Sequence, residues 1–500
     1  MKRRTLLTAI LGVSALPRYA TANPAGGRVV IVGGGWGGLS AARHLRALAP
    51  QLDVILIDRG AEFWSQPLSN RWLVGLARGD WLRHDYRRAA QHFGYRFVNA
   101  EVGGVDRQSR QVDTSAGSFA YDWLVLAPGI REDFSAWYGV DRDAAVYTRR
   151  HFPSAFPAGA EHLALKAKLE AFQGGDLVMT VPPLPYRCPP APYERAGLVA
   201  WWLKTRNIKG RLVILDPNLP VLSFDRIFRE SYRDQVTYLP QAQVRSVDPY
   251  QRRIVTDFDT IDFADAILMP PQQAADVAWD SGLIGRNADG RPSGWAACDP
   301  STLAVPGDER VFLVGDVIDT VSPLFGQYPK TGQLAAALGR IAATQIAARA
   351  AGTAAPRQLP DSTCYVVHRP EPKELTRIET AYRWRGDGVI QQTVRQQHVP
   401  QAVEEDLDWA RRQFAELFGT TGCTLPSARG QWRAQMLVDP SGLTSSVLNS
   451  SRLTSRSPLA LSSIVHAVSQ VGLDSSRPGA PRGNPGTAIP RALGLSRNSS

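Results

Sequence analysis

Arg28-Val29-Val30-Ile31-Val32-Gly33-Gly34-Gly35-Trp36-Gly37-Gly38 is the stretch on which the fold turns. Residues 28–32 are a short apolar run suited to a buried parallel strand. The glycine turn follows at once, and Leu39-Ser40-Ala41-Ala42-Arg43-His44-Leu45 has helical spacing. Gly33, Gly35 and Gly38 meet the G-x-G-x-x-G requirement. The first glycine permits a tight turn, the second lets backbone approach a pyrophosphate, and the third lets helix and strand pack closely. The free N–H groups of the helix N-terminus suit phosphate oxygens. A second apolar strand, Val54-Ile55-Leu56-Ile57, ends in Asp58, twenty residues after Gly38, where a carboxylate can hold a ribose hydroxyl pair. A lone glycine motif is weak. Here strand, turn, helix, strand and acid fall in order within about 30 residues, as a dinucleotide-binding unit requires.

Two later stretches extend this reading. Residues 121–129 (Tyr-Asp-Trp-Leu-Val-Leu-Ala-Pro-Gly) read as a strand ending in the turn Ala127-Pro128-Gly129. Residues 311–316 (Val-Phe-Leu-Val-Gly-Asp) read as a strand ending in Gly315-Asp316, followed by a helix over about 332–351. Both resemble signatures of flavoproteins with two dinucleotide domains, which implies FAD and a contact from Asp316 to its ribityl or phosphate groups. A strand at 176–181, a helix at 193–204 and a strand at 212–216 form a second Rossmann-like unit. Its turn, however, is Pro182-Pro183-Leu184-Pro185-Tyr186-Arg187-Cys188-Pro189-Pro190. Proline has no N–H and a fixed φ, so this loop cannot cradle a pyrophosphate. The nicotinamide site is expected to be lost, and the electrons to come from something other than NAD(P)H.

Composition is consistent with that picture. The chain has 500 residues, with 44% hydrophobic and 21% charged, which is ordinary for a globular protein and predicts two or three domains. No apolar run reaches the ~20 residues needed to span a bilayer. The net charge of +11 suggests nucleic acid until it is located. Residues 1–22 carry +4, residues 420–500 carry +6, and the body between them carries +1. A nearly neutral body offers a polyanion little. Lys2-Arg3-Arg4, an apolar stretch over 6–16 and Ala20-Thr21-Ala22 have the layout of an export signal. The paired arginines before Thr5-Leu6-Leu7 resemble a twin-arginine signal, the alternative being an ordinary secretory one. Export to the periplasm is expected, where a disulfide can persist. The four cysteines, 188, 298, 364 and 423, allow three full pairings. No C-x-x-C is present, which argues against zinc and iron–sulfur sites. No C-x-x-C-H is present either, so haem is expected only on a partner. None of the eight histidines pairs at i, i+4, and no metal site is expected.

The most specific stretch is Arg187-Cys188-Pro189-Pro190-Ala191-Pro192-Tyr193-Glu194-Arg195-Ala196. It resembles the Cys-Pro-Pro-Gly-Pro-Tyr-Glu-Arg-Ala segment in the flavoprotein subunit of flavocytochrome c sulfide dehydrogenase. Thr363-Cys364-Tyr365 resembles that family's second cysteine segment. Leu268-Met269-Pro270-Pro271-Gln272, Ser293-Gly294-Trp295, Pro329-Lys330-Thr331-Gly332 and Asp408-Trp409 resemble further stretches, so the likeness runs from about residue 27 to 419. The resemblance implies an α/β fold with two Rossmann-like domains and a smaller α+β C-terminal domain. Residues 27–150 and 300–352 would bind FAD, 151–299 would form the second unit, and 353–419 the third. It further implies a redox disulfide between Cys188 and Cys364, a carboxylate beside it at Glu194, Lys330 among the cofactor contacts, sulfide as substrate and a c-type cytochrome as partner. Glu194 has a second reading, as an acid near a helix N-terminus favoured by the dipole.

The sequence departs from the family at three places. Where many members attach FAD through a cysteine, this chain has Phe63-Trp64-Ser65-Gln66-Pro67-Leu68. Gln66 stands at the cysteine position and an amide cannot form a thioether, so FAD is expected to be non-covalent. The loop 320–328 is longer than the family pattern. Residues 420–500, with sixteen serines and neither lysine nor glutamate, have a composition expected to stay largely disordered. Two other readings stay open. The first is a sulfide:quinone oxidoreductase, for which an amphipathic segment at 404–418 would matter. The second is a non-catalytic flavoprotein assisting a sulfur-oxidising complex.

Overall fold

The computed structural model describes residues 26–400 and 405–419. The export segment, Cys423 and the serine-rich tail lie outside the described residues.

The first sheet is built around the quoted strand. Arg28–Val32 is central and pairs in parallel with Asp53–Asp58 on one side and Trp123–Leu126 on the other. Arg96–Asn99 closes one edge, Asp308–Leu313 follows on the other, and the antiparallel Ala304–Val305 ends the sheet. Every residue of Arg28–Val32 is buried, as expected of a parallel strand covered on both faces. Two helices, Trp36–Leu48 and Gly332–Ala350, pack closely together. A Cβ on Gly339 would stand 2.2 Å from the Gly37 carbonyl oxygen, so these helices touch backbone to backbone.

The second sheet orders Val236–Pro240, Gly210–Asp216, Gly175–Thr180 and Asp265–Ile267, all parallel. Its first helix is Ala191–Thr205, beginning two residues before the sequence-based start at 193. Pro190 and Pro192 sit at its N-terminus, where a missing N–H costs nothing. The third sheet is an antiparallel meander, Asp361–Pro370, Lys373–Trp384 and Ile390–Pro400, followed by the helix Glu405–Phe418. These three units make up the α/β architecture read from the sequence.

The boundary at residue 299 needs adjustment. Gln272–Ala274 pairs antiparallel with Ile130–Glu132, and Ala274, Ala278, Leu283, Trp295 and Ala296 bury themselves in the first unit's core. The chain returns to the first unit some 25 residues earlier than the sequence reading places it. The extended loop 320–328 is a small hairpin of Thr320–Ser322 and Gly326–Gln327. Its Phe325 and Tyr328 pack on Tyr382 of the third sheet.

Candidate active site

One cavity of ≈ 680 Å³ opens where the three units meet. Gly33, Gly35, Asp58, Ala127, Pro128, Gly129, Cys188, Glu194, Gly315, Asp316, Lys330 and Cys364 all line it. Gly38 does not, and its surroundings explain why it is glycine. A Cβ there would lie 1.9 Å from the Gly33 carbonyl oxygen, so Gly38 serves helix–strand packing. Gly33 has φ +99°, and a Cβ would stand 2.3 Å from the Ala127 carbonyl oxygen. Gly35 has nothing within 4 Å of its would-be Cβ. Room there is kept for something other than protein.

These residues fit a dinucleotide. The Trp36–Leu48 helix has no side-chain N-cap, which leaves first-turn N–H groups available to phosphate oxygens. Asp58 Oδ2 accepts from the Gly34 N–H at 2.6 Å and Oδ1 from the Gly60 N–H at 2.7 Å. A carboxylate has about four lone-pair sites, so acceptor capacity remains for ribose hydroxyls. Burial pushes the Asp58 carboxyl up, against the pull of those backbone donors. Asp316 Oδ2 accepts from Arg187 Nε at 2.6 Å, so Arg187 orients the Gly-Asp turn. Lys330 lines the cavity, but its ammonium donates to the Asp316 carbonyl at 2.8 Å and the Ile318 carbonyl at 3.0 Å. It also stands 3.6 Å from the centre of the Trp295 ring. The ammonium therefore braces the Gly315-Asp316 turn, and burial pulls it down to about 7. Gln66 lines the cavity and donates from Nε2 to the Phe156 carbonyl at 2.5 Å.

Cys188 and Cys364 come together across 176 residues of chain. Both are thiols in this structure. The Cys188 loop is pinned by its N–H to the Lys330 carbonyl at 2.8 Å and by its carbonyl to the Ala191 N–H at 2.8 Å. Its backbone holds φ +50°, a left-handed conformation that a non-glycine residue adopts only when its surroundings impose it. Burial pushes both thiols up, Cys364 to about 12, and the neighbouring Glu194 charge adds to the effect on each. Glu194 Oε1 accepts from the Val367 N–H at 2.9 Å and Oε2 from Asn70 Nδ2 at 2.8 Å. Its carboxylate thus ties the Cys188 helix to the Cys364 strand.

Several site residues had no signal in the sequence. Asn70 also accepts, through Oδ1, from the buried Arg195 Nε at 3.0 Å. Arg71 pairs with Asp406, and Lys373 Nζ donates to the same carboxylate at 2.8 Å. These contacts fasten the Glu405–Phe418 helix over the cavity, where Asp406 and Trp409 line it. Leu407, Trp409, Ala410, Phe414, Leu417 and Phe418 of that helix are all buried. Cys298 lies apart from the cavity, with burial pushing its thiol up to about 12. Among the described residues no cluster of three or more His, Cys, Asp or Glu could hold a metal, and no helix is long and apolar enough to cross a membrane.

The second glycine-less turn is closed from within. Asp216 ends the strand where a nicotinamide ribose would be held, and it is fully buried. It accepts from the hydroxyls of Tyr193 and Tyr238, each at 2.7 Å, and from Asn218 N and Nδ2 at 2.9 and 2.8 Å. Asn218 in turn donates to the Pro182 carbonyl at 2.9 Å.

One open dinucleotide cradle, one closed one and two cysteines at the junction mark a chain built from two dinucleotide-type domains, only one of which keeps its nucleotide site. Residues 27–155 match the pyridine nucleotide-disulphide oxidoreductase family. Residues 162–270 match the central region of the sulfide dehydrogenase (flavocytochrome c) flavoprotein chain. A 43-residue stretch is 49% identical to the flavoprotein chain of that enzyme from Chlorobaculum thiosulfatiphilum, covering 9% of this chain and 90% of that short sequence. The chain belongs to the flavocytochrome c sulfide dehydrogenase flavoprotein family. It is also 26% identical over 185 residues to the sulfide-quinone reductase of Aquifex aeolicus, which is 37% of this chain and 41% of that protein's length. The crystal structure of the Aquifex sulfide:quinone oxidoreductase superposes with a TM-score of 0.62 at 19% identity, covering 78% of this chain and 91% of that one.

Proposed function

We propose that this chain is the FAD-binding subunit of a periplasmic flavocytochrome c that oxidises sulfide to sulfur or polysulfide. The observation that carries the reading is one cavity lined at once by the dinucleotide cradle, Cys188, Cys364 and Glu194. FAD, held without a covalent bond, would supply an acceptor for two electrons that passes them on singly to the haem of a c-type cytochrome subunit. Gly33, Gly35 and the uncapped helix would hold the pyrophosphate, Asp58 the ribose, and Asp316 the middle of the cofactor.

In the oxidised enzyme Cys188 and Cys364 form a disulfide. Hydrosulfide attacks one of its sulfurs. A new sulfur–sulfur bond forms as the inter-cysteine bond breaks, leaving a persulfide on one cysteine and a thiolate on the other. The disulfide captures sulfide covalently and divides one difficult oxidation into two steps. Burial that raises both thiols makes a departing thiolate costly. The proton carried in by the attacking hydrosulfide can pass to the leaving sulfur, and Glu194, beside both cysteines, is placed to relay it.

Sulfide:quinone oxidoreductase is the second reading, favoured by the Aquifex relative. The burial of the Glu405–Phe418 apolar residues in the body gives that helix no face for a membrane, which supports a soluble acceptor. Full turnover with sulfide is assayed against cytochrome c and against a water-soluble quinone. Reduction of the cytochrome at least tenfold faster is expected. Faster reduction of the quinone contradicts the reading, and turnover with neither favours a non-catalytic role.

A further inference from the structure

Strand Ile130–Glu132 leaves the cavity at Gly129 and carries Glu132 into the interior. The Glu132 side chain has no exposed surface, and no well-formed hydrogen bond reaches either of its oxygens, the Ser154 hydroxyl being the polar group that faces it. Arg149 Nη2 stands 3.8 Å from it, and Arg149 Nε stands 3.7 Å from Glu161, at the start of the Ala160–Ala171 helix. One half-exposed guanidinium therefore faces one buried and one part-buried carboxyl group. The Ser154 hydroxyl and the Ala155 N–H donate to Glu161 at 3.3 and 3.2 Å.

The other groups facing the pair come from four elements. Arg195 approaches from the Ala191–Thr205 helix, and Arg187 from the cysteine loop. His162, beside Glu161, is fully buried with both ring nitrogens unpartnered. Burial pushes His162 down to about 3, so it contributes no charge. Gln272 lies opposite Glu132 across the strand pair, and its Oε1 accepts from the Arg187 N–H at 2.9 Å. Arg187 is in turn paired with Asp316 at the cavity. Glu132 thus feels the charge of the guanidinium that orients the Gly-Asp turn.

Two carboxyl groups in one buried site cannot both ionise cheaply, and the proton they retain belongs to the pair. Burial first, and Glu161 next, push Glu132 well above the usual carboxylate range. Burial pushes Glu161 up as well, against Arg149. We propose that Glu132 and Glu161 hold one proton between them at neutral pH, and that this proton sets the charge facing Arg187 and Asp316 at the flavin cavity. Its loss would place one further negative charge behind Arg187 and make electron arrival in the cavity less favourable. Only this coupling rests on the flavin reading.

Infrared difference spectroscopy of the full chain against its E132Q variant tests the pair without flavin chemistry. An ordinary glutamate, at about 4.3, is ionised at neutral pH. A protonated-carboxyl stretch near pH 7 is expected in the wild type, fading as the pH rises through about 8. It should be lost in E132Q, and in E161Q it should fade at a lower pH than in the wild type because the neighbouring charge is gone while the burial remains, with both variants folded by circular dichroism. Absence of the band from the wild type near pH 7, or its survival in E132Q, overturns the pair. The flavin reduction potential followed over the same pH range tests the coupling. A change of slope in the wild type that E132Q lacks supports it, and identical profiles overturn it. A chain that takes up no FAD contradicts the flavin reading while the infrared result still decides the pair.

Discussion

This chain contains the same strand–turn–helix–strand unit twice, and the two copies differ in what fills the turn. In the first, Gly33 to Gly38 keep the backbone close and Gly35 faces open space, while Asp58 keeps acceptor capacity. In the second, prolines remove the donors, and Asp216 is saturated by two tyrosines and Asn218. The parallel pairing of the two sheets is equivalent. The comparison teaches that the fold supplies only the position of a nucleotide site. The turn and the acid at the second strand decide whether the position is used.

That contrast can be broken at the first copy. Gly38→Ala puts a methyl group 1.9 Å from the Gly33 carbonyl oxygen and cannot be relieved by a side chain moving. Loss of FAD binding by at least about tenfold is expected, with a strain cost of roughly 1–3 kcal/mol, read by flavin absorbance after gel filtration and by thermal unfolding. Asp58→Asn keeps the shape and removes the charge. FAD affinity should fall ~10–100-fold, the worth of hydrogen bonds to a charged group, with the fold intact. In the second copy the same kind of change has the opposite signature. Asp216→Ala leaves two tyrosine hydroxyls and Asn218 without their acceptor, so stability should drop by roughly 1–3 kcal/mol. FAD affinity should not move, and a change there would contradict the closed-site account.

The first copy is legible in the sequence because its parts lie within about 30 residues and each glycine has a local reason. The closed state of the second is half legible. The prolines announce it, but Tyr193 and Tyr238 reach Asp216 from a helix and a neighbouring strand, which no spacing reveals. Four cysteines leave the choice of partners open in the sequence, and only the family resemblance singles out Cys188 and Cys364, which the structure places on the same cavity. Asn70, Arg195 and the Glu132–Glu161 pair are brought together by packing between units and leave no periodic trace. The early return of the chain to the first unit depends on three residues of antiparallel pairing at Ile130–Glu132, too short to read in advance.

The most direct measurement is anaerobic mixing of the FAD-loaded chain with sulfide, comparing the wild type with Cys364→Ser. Rapid bleaching of the flavin band in the wild type and its loss by at least about a hundredfold in the variant, with FAD still bound, is the result expected if Cys188 and Cys364 pass sulfide's electrons inward. Equally rapid bleaching in Cys364→Ser would contradict it.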